Sequence, residues 1–218
     1  GETIRLLIEP AQEVSFPLYL RIPGWCRSPQ VTVNGSKAAV APDTRGFAKI
    51  ARTWVKDDLV ELKLSMEPKV IRGYETEFPS ANRKYFSFEP AEVFQQRRLP
   101  YASVLYGPLL MALQIADIDP NTPARDAKWQ YALDTDAGRH DADITVERRP
   151  MPARWDWPLD APIALKVPAR AFDWRPSDAQ ALPEKPVTGT ASETVRLVPY
   201  GCTKFRISMF PVTGRAWP

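Results

Sequence analysis

The amino-acid sequence predicts an all-β chain made of two consecutive β-sandwich modules of jelly-roll or Ig-like type. Three observations predict it. Apolar residues recur at every second position in several short stretches, the spacing that turns one face of a strand toward a core. Proline is abundant and glycine sparse, 23 Pro against 10 Gly in 218 residues, and proline at roughly twice its average usage breaks helix interiors. Short strands joined by Pro-rich and polar loops most readily bury themselves as two packed sheets.

Taken in order, Phe16, Leu18, Leu20 and Ile22 alternate with Pro17, Tyr19 and Arg21 until Pro23-Gly24 ends the strand. Val31-Thr32-Val33 then leads into Asn34-Gly35, a pair that tolerates the positive φ of a type I′ hairpin, with Ala38 to Val40 as the returning strand. Gly46 to Ile50 forms another strand. After the turn-like Lys56-Asp57-Asp58, Val60, Leu62, Leu64 and Met66 alternate with Glu61, Lys63, Ser65 and Glu67 in a further one. Between Gly73 and Pro100 the periodicity vanishes among aromatic residues, charges and prolines, and Ala91 to Arg98 offers a short helix after Pro90. Val104 to Tyr106 and Leu109 to Leu113 flank Gly107-Pro108. Ile163 to Val167, Val195 to Val198, and Phe205, Ile207 and Met209 supply the later strands. The modules accordingly run over 1–72 and 99–218, with an aromatic, Pro-containing connector at 73–98.

Composition narrows the function. With 44% hydrophobic and 25% charged residues the chain buries a sizeable core, and 29 Lys+Arg against 26 Asp+Glu leave a net charge of only +3. No segment concentrates the basic face that phosphate backbones require, so nucleic acid is not the expected partner. The longest apolar run, Val104 to Ala116, is interrupted by Gly107, Pro108 and Gln114 and predicts no membrane segment. Gly1 to Ile8 lacks the pattern of a secretory signal. One His and two Cys exclude a two-His or four-Cys metal site, and two Cys leave the compartment open.

Paired carboxylates at Glu75/Glu77, Asp117/Asp119, Asp134/Asp136 and Asp141/Asp143 have the spacing of one strand face, as glycosidase chemistry needs close carboxyl pairs, yet such pairs in polar loops are ordinarily solvated. The densest acidic loop, with Asp134, Asp136, Asp141 and Asp143, is a weak calcium candidate because hard cations take oxygen ligands, although it fails the EF-hand pattern. Cys26 and Cys202 read as packed small hydrophobes, and His140, amid charges, as a loop residue. Asn34-Gly35-Ser36 matches a glycosylation sequon, but the hairpin explains it. Among the Trp, Trp155 and Trp157 would share a strand face and present stacking platforms for a sugar, with Arg154 and the nearby Arg148 and Arg149 able to bond hydroxyls. The competing reading makes Trp25, Trp54, Trp129, Trp155, Trp157 and Trp174 fillers of cores or of a domain interface.

Several strings are more specific in combination. Leu20-Arg-Ile-Pro-Gly-Trp-Cys26, Val31-Thr-Val-Asn-Gly35, Gly46-Phe-Ala-Lys-Ile50 with Trp54, Val60-Glu-Leu-Lys-Leu-Ser-Met66, Tyr106-Gly-Pro-Leu-Leu-Met-Ala-Leu113 and Leu197-Val-Pro-Tyr-Gly-Cys-Thr-Lys-Phe-Arg206 together resemble the C-terminal β-sandwich region of the β-L-arabinofuranosidase-like glycoside hydrolases, family 127 and its relatives. The resemblance implies two β-sandwiches following a helical (α/α) barrel, with strands preceding the Leu20 motif that make the first sandwich here short at its start. It also implies a cysteine nucleophile and a zinc ion held by Glu and Cys, all in the barrel. Neither Cys26 nor Cys202 matches those motifs, so no catalytic residue is carried over and no cofactor is expected in this chain. The expected role is a non-catalytic part supporting the catalytic barrel of the same parent chain. The alternatives are a carbohydrate-binding module using Trp155, Trp157 and Arg154 on plant-derived glycans, or an independent enzyme using the acidic loop.

Overall fold

The computed structural model describes residues 2–77, 97–116, 128–134, 143–151, 153–154, 161–174, 182–183, 185, 187 and 191–214. The chain is all-β, and its contacts divide it into two compact units, Gly1–Glu67 and Pro68–Pro218.

The first unit contains β1 (Thr3–Ile8), β2 (Val14–Arg21), β3 (Gln30–Val33), β4 (Ser36–Lys37), β5 (Phe47–Trp54) and β6 (Asp58–Lys63). A four-stranded sheet runs β1-β6-β3-β4, and β2 and β5 form a separate two-stranded sheet. Alternation decides which side chains meet between them. Leu20 and Ile22, Ala48, Ile50 and Trp54, Val31 and Val33, and Val60 and Leu62 come from both sheets and form one buried cluster, the arrangement of a small sandwich. Trp54 is its largest member at 0% exposure; its indole Nε1 donates to the Phe16 carbonyl at 2.9 Å, so the one polar atom of the ring is satisfied inside.

The hairpin return differs from the expected Ala38–Val40. The tight turn pairs Val33 with Ser36, so the returning strand starts directly after Gly35 and is only Ser36–Lys37, after which Ala38 N still donates to the Val31 carbonyl at 2.9 Å. Asn34 and Gly35 take φ of 52° and 77°, the positive values of a type I′ turn. The strand from Val60 likewise starts earlier, at Asp58, and stops at Lys63.

The second unit contains β7 (Pro68–Glu77), β8 (Arg97–Tyr106), β9 (Leu109–Ala116), β10 (Tyr131–Leu133), β11 (Thr145–Arg148), β12 (Ile163–Ala171), β13 (Ser192–Pro199), a 3-10 turn (Tyr200–Cys202) and β14 (Phe205–Ile207). Among the described residues its eight strands form one sheet in the order β10-β12-β13-β9-β8-β7, with β11 on β12 and β14 on β9. The sheet forks. β8 and β9 pair only next to their turn, from Tyr106↔Leu109 to Val104↔Met111. Farther along, β14 takes β9 at Leu113–Ala116, and Phe210 bridges to Ala102 of β8. Tyr106, Met111, Leu133, Leu165, Leu197, Phe210 and Val212 are essentially inaccessible.

Of the segment read as a connector, residues 73–77 lie in β7 and 97–98 in β8, while 78–96 fall outside the described residues. The short helix expected from Ala91 to Arg98 is not helical at its end. Arg97 and Arg98 pair with Glu77 and Thr76, because a ten-residue ladder satisfies more backbone groups than an isolated eight-residue helix, which is marginal in water.

Candidate functional site

The residues named from sequence are placed as follows. Arg154 is exposed, whereas Trp155 and Trp157 lie outside the described residues. Of the acidic loop, Asp134 and Asp143 are described; Asp136 and Asp141 are not. Asp134 follows β10, where its Oδ2 accepts from Arg170 Nε at 3.1 Å and Nη2 at 3.0 Å, while Oδ1 accepts from the Thr213 hydroxyl at 3.1 Å. That carboxylate ties β10 to β12 and to the chain's last described segment. Asp143 is exposed. Among the described residues, no three His, Cys, Asp or Glu converge closely enough to hold a metal.

Both cysteines are free thiols. Cys26 is 7% exposed and its N–H closes a turn onto the Pro23 carbonyl at 3.0 Å. Cys202 sits in the 3-10 turn of the other unit, against Ala161, Ala164 and Val198. Burial pushes its thiol up from the ordinary value, which disfavours the thiolate that acts as nucleophile or metal ligand.

Three polar clusters were not found from sequence. On β11, Glu147 takes Lys166 Nζ at 3.0 Å and Arg196 Nε at 2.9 Å, stitching β11 to β12 and β13; these two donors hold its carboxyl below the ordinary value. Next to it, Arg148 Nη2 donates to the hydroxyl of buried Tyr106 at 2.6 Å. In the first unit, Asp58 is 2% exposed and accepts from Val55 N at 2.9 Å and Asn34 Nδ2 at 2.6 Å, and these bonds lower its carboxyl's pKa. Each cluster spends its charges between strands. The aromatic group of Trp129, Phe172 and Trp174 likewise packs on Leu99 and Leu182, with Trp129 and Trp174 centroids 5.3 Å apart, and Gln130 Nε2 donates to the Trp174 carbonyl at 2.6 Å. Trp54 and Trp174 are thus core residues. The signal missing from sequence is separation: Glu147 and Arg196 lie 49 positions apart, and Asp134 and Thr213 lie 79 apart.

Comparison with known proteins adds what these clusters do not. Residues 1–66 match the family described as β-L-arabinofuranosidase, GH127 middle domain. No curated protein matches the chain. Among solved structures, a GH127 β-L-arabinofuranosidase from Geobacillus stearothermophilus T6 matches with 23% identity and a TM-score of 0.57, over 99% of this chain and 29% of that one. A glycoside hydrolase matches with 21% identity and a TM-score of 0.59, over 98% of this chain and 30% of its own. Another GH127 β-arabinofuranosidase matches with 18% identity and a TM-score of 0.53, over 97% and 30%. The chain spans less than a third of the length of these proteins. Residues 1–66 thus match a GH127 middle domain, and nearly the whole chain shares its all-β fold with about 30% of each of these structures.

Proposed function

We propose that this chain is a non-catalytic part of a longer glycoside hydrolase and supports a catalytic (α/α) barrel of the same polypeptide. The observation that carries the reading is partial coverage: nearly all of this chain aligns with only about 30% of each matched structure, and its family match is to a middle domain. The polar clusters agree with it, since Asp58, Asp134 and Glu147 each serve as cross-strand ties. Zinc and catalytic side chains then belong to the rest of the parent chain.

The test is hydrolysis of an aryl β-L-arabinofuranoside by the purified chain beside the full-length parent. Turnover by the parent and none by this chain is the expected result. Turnover by this chain that one internal substitution abolishes would overturn the reading. Calorimetry with plant glycans decides the alternative role in carbohydrate binding: saturable heat that is lost in Trp155→Ala or Trp157→Ala establishes it, and its absence ends it.

A further inference from the structure

We propose that Asn34-Gly35 is a chemical modification site: the asparagine deamidates, the fold of the first unit gates the reaction, and the product breaks the clamp that joins this turn to the start of β6. Asn34 is fastened to the start of β6 by both ends of its amide and by its backbone. Nδ2 donates to Asp58 Oδ1 at 2.6 Å, Oδ1 accepts from Leu59 N at 2.8 Å, and the Asn34 N–H donates to the Leu59 carbonyl at 2.8 Å. Asp58 is itself 2% exposed and engages Val55 N at 2.9 Å and Arg52 Nη2 at 3.7 Å.

Deamidation begins when the Gly35 backbone nitrogen attacks Asn34 Cγ. The new N–C bond closes a five-membered succinimide, and the Gly35 N–H proton passes through water to the side-chain nitrogen, whose bond to Cγ breaks so that it leaves as ammonia. Water then adds to one of the two ring carbonyls and opens the ring to aspartate or isoaspartate. Glycine makes the attack easy, because it has no side chain to shield its own backbone nitrogen. The barrier here is the clamp: Cγ must swing toward Gly35 N, and that motion breaks both amide hydrogen bonds. Reaction therefore proceeds through local opening of the β3–β4 turn.

The product cannot re-form the clamp. Aspartate at position 34 replaces a donor by a carboxylate within hydrogen-bond distance of Asp58, and two like charges there disfavour joint ionisation. Isoaspartate also inserts a methylene into the backbone of a two-residue turn, which upsets the β3–β4 register.

The experiment incubates the chain at mildly alkaline pH with and without urea and follows the Asn34 peptide by mass spectrometry, reading the exchange of NH2 for OH. Deamidation at least about tenfold slower in the folded chain is expected from gating by local opening, and equal rates would overturn it. In parallel, Asn34→Asp should lower the urea midpoint, and Asn34→Asp combined with Asp58→Asn should recover most of the loss. The swap restores one donor facing one acceptor, while the amide oxygen introduced at position 58 still accepts from Val55 N. An unchanged midpoint in the single variant, or no recovery in the pair, would overturn the clamp. Should the single variant fail to fold, the rate comparison on the unaltered chain still decides gating.

Discussion

At the scale of single residues, stability rests on positions where burial and a satisfied polar atom coincide. Trp54 fills the centre of the first core at 0% exposure while its indole nitrogen holds the Phe16 carbonyl. Trp54→Ala removes the ring, leaves a cavity and takes one donor from that carbonyl, and is expected to cost about 3–5 kcal/mol in denaturant unfolding of the first unit. A loss below about 1 kcal/mol would mean that the sheets collapse onto the void. Glu147 offers a different kind of test. Arg196 and then Lys166 hold its carboxyl below the ordinary 4.5, so the folded state binds its proton later than the unfolded chain does. Its stabilisation is complete above the unfolded value and fades as pH falls through the folded one. Glu147→Gln should lower the denaturant midpoint of the second unit at neutral pH, and the gap to the unaltered chain should close as pH drops through the carboxylate range. A gap independent of pH would show that charge plays no part in this tie.

At the scale of elements, turns set the registers. Gly107 takes φ of 55° in the two-residue loop that pairs Tyr106 with Leu109, with Pro108 fixing the next φ. Alanine at Gly107 must hold the left-handed region at about 1–2 kcal/mol, and Gly107→Ala is expected to lower the unfolding free energy of the second unit by that amount; no change would mean that the turn relaxes to another type. This turn and Asn34-Gly35 were legible in the sequence because Gly, Pro and Asn carry their backbone preference with them. So were β2 and parts of β5 and β6, where Phe16, Leu18 and Leu20, Ala48 and Ile50, and Val60 and Leu62 recur at every second position. β1 was not, because Leu6-Leu7-Ile8 breaks the alternation and Leu7 is 56% exposed. β7 and the first half of β8 were hidden for a related reason: Pro68 to Glu77 and Arg97 to Tyr101 hold too few apolar residues in alternation, and their ten-pair ladder is tertiary. The candidate sites were less legible still. The ties at Glu147 and Asp134 join residues that only the sheet order brings together, and a single sequence contains no trace of that order.

At the scale of the whole molecule, two units with separate cores should report their openings separately. The first cluster draws on Leu20 through Leu62; the second unit holds its own inaccessible set, from Val104 to Val212. Val60 is central to the first, at 0% exposure on β6, the strand that pairs with both β1 and β3. Deleting its two methyl groups costs about 2 kcal/mol from lost burial and the cavity left behind. If the slowest amides of the first unit exchange through opening of that core, Val60→Ala speeds exchange at Leu62, on the same strand, by about thirtyfold. Leu197, between β12 and β9 in the other unit, should keep its protection. Native-state hydrogen exchange reads both positions in one experiment. Acceleration at Leu197 by the same factor would instead make the two cores one cooperative body, since an amide loses protection only when the free energy of the opening that exposes it has fallen.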